Sequence, residues 1–261
     1  MRSIWLPYTP FSATHRRLLV GVQVAAALLF WCFSTSGGLP TPMEVLRAWV
    51  SLVQTQSLIS ELWQSAQVLL LALLLSTLLS VTLVAAGTAP VFAPLARAAS
   101  LLRFLGFAGL TYLFMLVTRD STELKLALLV FGISAMMVTA MLAEVRAIPQ
   151  QSIDHCQTLG MQHWRITYEL VVLGKADVFF DLVRQNAAIG WTLLTMVEGL
   201  TRSQGGIGAL LLNQNRYFQL AGVFAIQLTI LLYGIGQDYL LGRLGRVMCP
   251  YGQLQTNGGN A

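Results

Sequence analysis

The chain has 261 residues, of which 56% are hydrophobic and only 10% charged. Its mean hydropathy is +0.66. Soluble domains carry about a quarter charged residues, so this composition excludes an ordinary water-soluble domain and fits a bilayer as solvent. The net charge of +5 does not point to nucleic acid, because the basic residues are scattered among apolar runs instead of forming a stripe.

A bilayer core takes roughly 20 helical residues to cross, and six apolar stretches reach that length. The first is expected over 18–36, after Arg16 and Arg17, and stops at Gly37-Gly38. It resembles a signal peptide but lacks a small-residue cleavage site, so it is expected to stay as a first span. Residues 39–61 open with two prolines and continue as an amphipathic segment expected to lie near the interface. A Leu-rich second span is expected over 62–87, then a turn over 88–94 that holds Pro90 and Pro94. The third span runs on to about 118, polar 119–125 connects it to a fourth over 126–142, and a long polar loop fills 144–175. The fifth span is expected over 178–200, a Gly- and Asn-rich stretch follows, and the sixth covers 220–241. The tail 247–261 has no packing potential. The whole chain reads as one all-α integral membrane domain, with a short N-terminal tail over 1–17.

Orientation follows from the positive-inside rule. With the N-terminus inside, the inner segments hold Arg2, Arg16, Arg17, Arg97, Arg103, Arg146, Arg165, Lys175, Arg243 and Arg246. The outer segments hold Arg47, Arg119, Lys125, Arg202 and Arg216. The loop 144–175 is therefore expected to be cytoplasmic.

Several chemistries find no support. There is no phosphate-cradling GxxxxGK[ST], and Gly205-Gly206-Ile207-Gly208 lacks the spacing and setting of a dinucleotide site. That cluster fits a tight turn or a close approach of helices instead. Cys32, Cys156 and Cys249 form no CxxC pair. Asp154, His155 and Cys156 are neighbours that fan about 100° apart on a helix, and His163 lies eight residues from His155, so they cannot converge on one metal ion. An exposed polar helix is the simpler reading. No GxSxG or HExxH motif occurs, and His15, His155 and His163 all lie outside the expected spans, which disfavours a haem- or quinone-carrying subunit.

Charges inside spans are costly and face a pore or a partner when they persist. Glu198, near the outer end of the fifth span, is either such a group or a helix-end residue reaching the headgroups. Arg184, near the inner end, fits a snorkelling side chain. Trp5, Trp31, Trp49 and Trp191 fit interfacial anchoring or packing.

Ile148-Pro149, Asp154-His155-Cys156 and Gly160 resemble the EAA loop of ABC importer permeases. That pattern is E-A-A, three residues, G, nine residues, then I-x-L-P. Gly160 stands at the required spacing, Leu170 at the Ile position and Val172-Leu173 at the L-P position. The segment RAIPQQSIDHCQTLGMQHW resembles the branch that imports nitrate, taurine, aliphatic sulfonates and bicarbonate. Leu39-Pro40-Thr41-Pro42, Trp191, Val197-Glu198 and Gly205 to Gly208 are similar to further segments of that branch, in the same order.

The resemblance implies a type I ABC importer permease in the bacterial inner membrane, with about six transmembrane helices and both termini cytoplasmic. It would form the pathway for a small anionic solute and have no catalytic residues of its own. ATP and Mg would be bound by two copies of a partner ATPase. A second permease subunit and a solute-binding protein would complete the assembly. The loop helix, about 150–162, would dock on the ATPase through Pro149, Asp154, His155, Cys156, Gly160, Met161 and Trp164, with Gly160 as a C-cap. Arg103, Thr111, Arg184, Thr192 and Glu198 would be candidates for the pathway.

The chain departs from the family pattern in several places. Glu-Ala-Ala is replaced by Asp-His-Cys, and prolines are missing at 173, at 177 and after Arg103. Fewer prolines predict smoother helices. These departures fit a divergent subunit paired with a different permease, and they leave open a non-transporting assembly or regulatory subunit.

Overall fold

The computed structural model describes residues 13–33, 39–201 and 205–249. The start of the N-terminal tail, Gly37-Gly38, Arg202 and most of the C-terminal tail lie outside them. Among the described residues the chain is almost wholly helical, with no strand.

Helix α1 covers Ala13–Phe33 and α2 covers Pro42–Thr55. Helix α2 begins with a capping box, in which the Glu44 N–H donates to Thr41 Oγ1 and the Thr41 N–H donates to Glu44 Oε2. It turns Val45 and Leu52 inward, and Trp49 Nε1 donates to Thr229 Oγ1 at 3.1 Å. The amphipathic segment thus packs against a later helix of the bundle.

Helix α3, Leu58–Ala86, and helix α6, Ser121–Arg146, form the largest contact in the bundle. The buried face of α3 carries Ser65, Ala66, Leu69, Ala72, Leu73, Ser76, Ser80 and Val84 at helical spacing. Small residues let two helix backbones approach, and hydroxyl bonds to neighbouring carbonyls secure the contact. Ser76 Oγ donates to Val130 O at 3.3 Å and Ser80 Oγ to Ser134 O at 3.5 Å.

Helix α9, Ala176–Thr201, lies against both α6 and α3. A Cβ added at its Gly190 would meet Leu69 at 2.7 Å, so the three helices cross there at close range. Helix α10, Ile207–Arg216, folds back against α9, and α11, Leu220–Met248, packs on α9, α10 and α2.

Among the described residues three helices are long and apolar enough to cross a membrane: α3, α6 and α11. They correspond to the second, fourth and sixth of the expected spans. The number reaches four if the residues of the expected third span count as one bent crossing. That span is not a single rod. Helix α4, Ala93–Leu101, ends in a 3-10 turn at Leu102–Phe104, and α5, Phe107–Val117, leaves at a bend of 119°. Leu105 and Gly106 take extended backbone angles at the corner. The expectation of smoother helices where prolines are missing fails here, because extended residues break a helix as effectively as proline.

The first apolar stretch, Leu18–Trp31 within α1, falls short of a span by length. Helix α9 has the length but carries Asp177, Asp181, Arg184 and Glu198, which make it too polar to qualify. The polar connection expected over 119–125 is mostly the first turns of α6, because Asp120 begins the helix there.

Candidate functional site

Two regions gather polar chemistry, one at each end of α9. The first is the loop between α6 and α9. Helix α7, Gln150–Thr158, starts directly after Pro149, whose fixed φ suits a helix entrance. It ends in a Schellman turn: the Met161 N–H donates to Cys156 O at 3.2 Å and the Gly160 N–H to Gln157 O at 2.9 Å. Gly160 has φ +73, which a side chain would strain. Helix α8, His163–Ile166, continues into a π-helical stretch, Thr167–Leu173, that leads to α9.

The base of this loop is tied, since Lys175 Nζ donates to Glu144 Oε2 at 3.2 Å across 31 residues. Thr88 and Thr167 hydroxyls meet at 3.1 Å and join the loop to the turn after α3. Asp154 accepts from Gln150 Nε2 at 3.0 Å and is exposed, as are His155 and Trp164, while Met161 is half-buried. Cys156 departs from the expected exposed helix, because its side chain is buried. Among the described residues no His, Cys, Asp and Glu group could hold a metal.

The second region is a buried knot around Glu198, at 1% exposure. Ser65 Oγ donates to Glu198 Oε1 at 2.7 Å, and the Gly208 N–H donates to Glu198 Oε2 at 2.8 Å. The Ile207 N–H donates to Ser65 Oγ at 2.9 Å, and the Gly206 N–H donates to Glu61. Lys125, also buried, donates from Nζ to Gly205 O at 3.0 Å. The free N–H groups at the start of α10 are thus satisfied by carboxylates and a hydroxyl from α3 and α9, which the helix dipole also favours. The glycine cluster is explained by this contact. Gly206 has φ +101, and a Cβ there would sit 2.3 Å from Glu198 Oε1.

Glu198 is therefore an enclosed structural acceptor and does not reach for headgroups, and Lys125 is a buried donor instead of a loop charge. Arg184 does not snorkel alone; its guanidinium makes a two-pronged ion pair with Asp238 of α11, one bond at 2.6 Å.

The five pathway candidates are not brought together. Arg103 and Thr111 belong to the bent α4–α5 segment, where Arg103 stacks over Phe104 at 4.8 Å and Thr111 is buried. Arg184 and Thr192 lie on exposed parts of α9, while Glu198 is on its buried side. Sequence reasoning passed over Glu61, Ser65, Gln237 and Asp238. The readable signals were Glu61 and Ser65 one helical turn apart before a Leu-rich run, and a lone Asp in the last apolar stretch.

No protein-family model matches the chain, and no curated protein matches it.

Proposed function

We propose that the chain is the transmembrane permease subunit of an ATP-driven ABC importer for a small anionic solute. The observation that carries this reading is the loop between α6 and α9. A short exposed helix, rigidly closed at Gly160, stands at the end of two central helices, and its base is tied by Lys175 and Glu144. Such a device transmits displacement without side-chain chemistry. A pull on α7 is delivered to α6 and α9 together.

In this reading six spans cross the bacterial inner membrane: α1, α3, the bent α4–α5 pair, α6, α9 and α11. The loop and both termini are cytoplasmic. Two ATPase subunits hold ATP and Mg and grip α7, a second permease completes the pathway, and a solute-binding protein delivers the solute. Helix α9 supports the pathway role, because Asp181, Gln185 and Thr192 put polar side chains on one exposed face at helical spacing. Lipid tails do not cover such a face at low cost, whereas water or a partner subunit does.

The test is affinity purification of the full chain from membranes, with a cysteine placed at Asp154 for cross-linking. An ATP-binding-cassette subunit should be recovered and cross-link through that position. Recovery of the chain with no ATPase subunit would sink the reading. Gly160→Asp in the purified complex should separate ATP hydrolysis from uptake while leaving the chain inserted in the membrane.

A further inference from the structure

We propose that the groove between α3 and α6 at the α4–α5 bend holds one acyl chain of an anionic phospholipid, whose phosphate is met by Arg97 and Arg103. The groove has a volume of about 530 Å³, and its walls include Leu79 and Leu83 of α3, Ala127, Val130 and Ala135 of α6, and Leu102. Helix α4 touches both α3 and α6. Beyond the bend α5 rests on α6, with the rings of Phe114 and Phe131 5.9 Å apart. The α3 side of the groove therefore stays uncovered, and Leu75 and Leu79 are exposed there. Ser134, a hydroxyl in the α6 wall, donates to Phe131 O at 3.1 Å and so adds no free polar group.

Length and charge select the occupant. Along α6 the wall from Val138 to Leu126 runs about 18 Å. Half of a bilayer core is about 15 Å, so a chain from one leaflet fills the apolar part and stops before Thr118 and Glu123 at the far end.

Residues 88–118 contain Arg97 and Arg103 but no Asp or Glu. Arg165, Lys175 and Arg184 each pair with a carboxylate, whereas neither Arg97 nor Arg103 does so among the described residues. Both are exposed. Arg103 directly follows Leu102 of the groove wall, and Arg97 follows Ala96, which lies against Gly87 at the end of α3. Thr139 Oγ1 donates to Ser100 O at 3.3 Å, so α4 ends beside α6 about 10 Å short of Arg146. A guanidinium without a counter-charge is costly at that level of a span, and basic pockets between spans bind anionic headgroups. An acyl chain in the groove and a phosphate on the arginines are two ends of one molecule. The inference needs only that α3 and α6 cross a membrane, and it stands whether or not the chain is a permease.

The experiment places the full chain in lipid nanodiscs with phosphatidylglycerol that carries a photoactivatable diazirine in one acyl chain. Labelled residues are then mapped by mass spectrometry. Labelling should concentrate on 75–83 and 126–138. Unmodified phosphatidylglycerol should displace the label, and phosphatidylcholine should do so about tenfold less well. The double variant Arg97→Gln with Arg103→Gln should bring the two lipids to within about threefold of each other. Val130→Phe fills the groove and should lose labelling there while both arginines remain.

Thermal denaturation reports whether each variant is folded, and if one is not, the competition on the wild type decides. Equal competition by the two lipids would overturn the site. So would label spread evenly onto exposed Leu228, Leu231 and Leu232 of α11, or a groove left unlabelled because a second copy of the chain covers it.

Discussion

Glu198 shows how one side chain can hold an element in place. Its two oxygens accept from Ser65 and from the Gly208 N–H in a site almost closed to solvent. Glu198→Ala would leave both donors buried and unpaired, at roughly 3 kcal/mol. Thermal unfolding in detergent should show the loss, and Glu198→Gln should recover part of it through the retained oxygen. Gly206→Ala should cost about as much by another route, since φ +101 strains any side chain and the added carbon meets Glu198. Neither effect can be read from the residue alone. An acidic residue near a helix end and a run of glycines were both visible in the sequence, but their meeting was not, because it depends on how α10 folds back. The same holds for Arg184 and Asp238, which are 54 residues apart and share no local pattern.

At the scale of elements, the sequence was most legible where local rules act alone. Thr41 and Glu44 are spaced for a capping box and form one. Thr41→Ala should destabilise α2 by about 1 kcal/mol, measurable as faster amide exchange in its first turn. Pro149 and Gly160 bracket α7 as their backbone preferences dictate. Gly160→Ala should cost about 1 kcal/mol and raise exchange across α7 while leaving α3 and α6 protected. A result showing equal protection in α7 would mean that the turn does not set its stability. The α4–α5 corner was not legible, because an apolar run of that length satisfies the rule for one span whether it is straight or bent by 119°. The π-helical stretch before α9 was missed as well, since apolar periodicity hardly separates it from α-helix over seven residues.

At the scale of the molecule, an apolar helical bundle followed directly from composition. The packing order did not, because every long helix is apolar on several faces. What singles out α3 and α6 as the central pair is the row of small residues between them. Ala72→Leu, at a fully buried position of that row, should overpack the contact and cost about 1–3 kcal/mol, whereas the same change at exposed Ala188 should be nearly neutral. The knot at the start of α10 also carries a consequence for biogenesis. During synthesis Glu61 and Ser65 emerge first, Lys125 next, then Glu198, and the backbone groups that satisfy them last of all. Each polar side chain therefore waits for a segment not yet made. A nascent chain halted before residue 205 holds these side chains without the backbone groups of residues 205–208 that complete the knot, so a truncated product of that length should be recognised and degraded instead of accumulating.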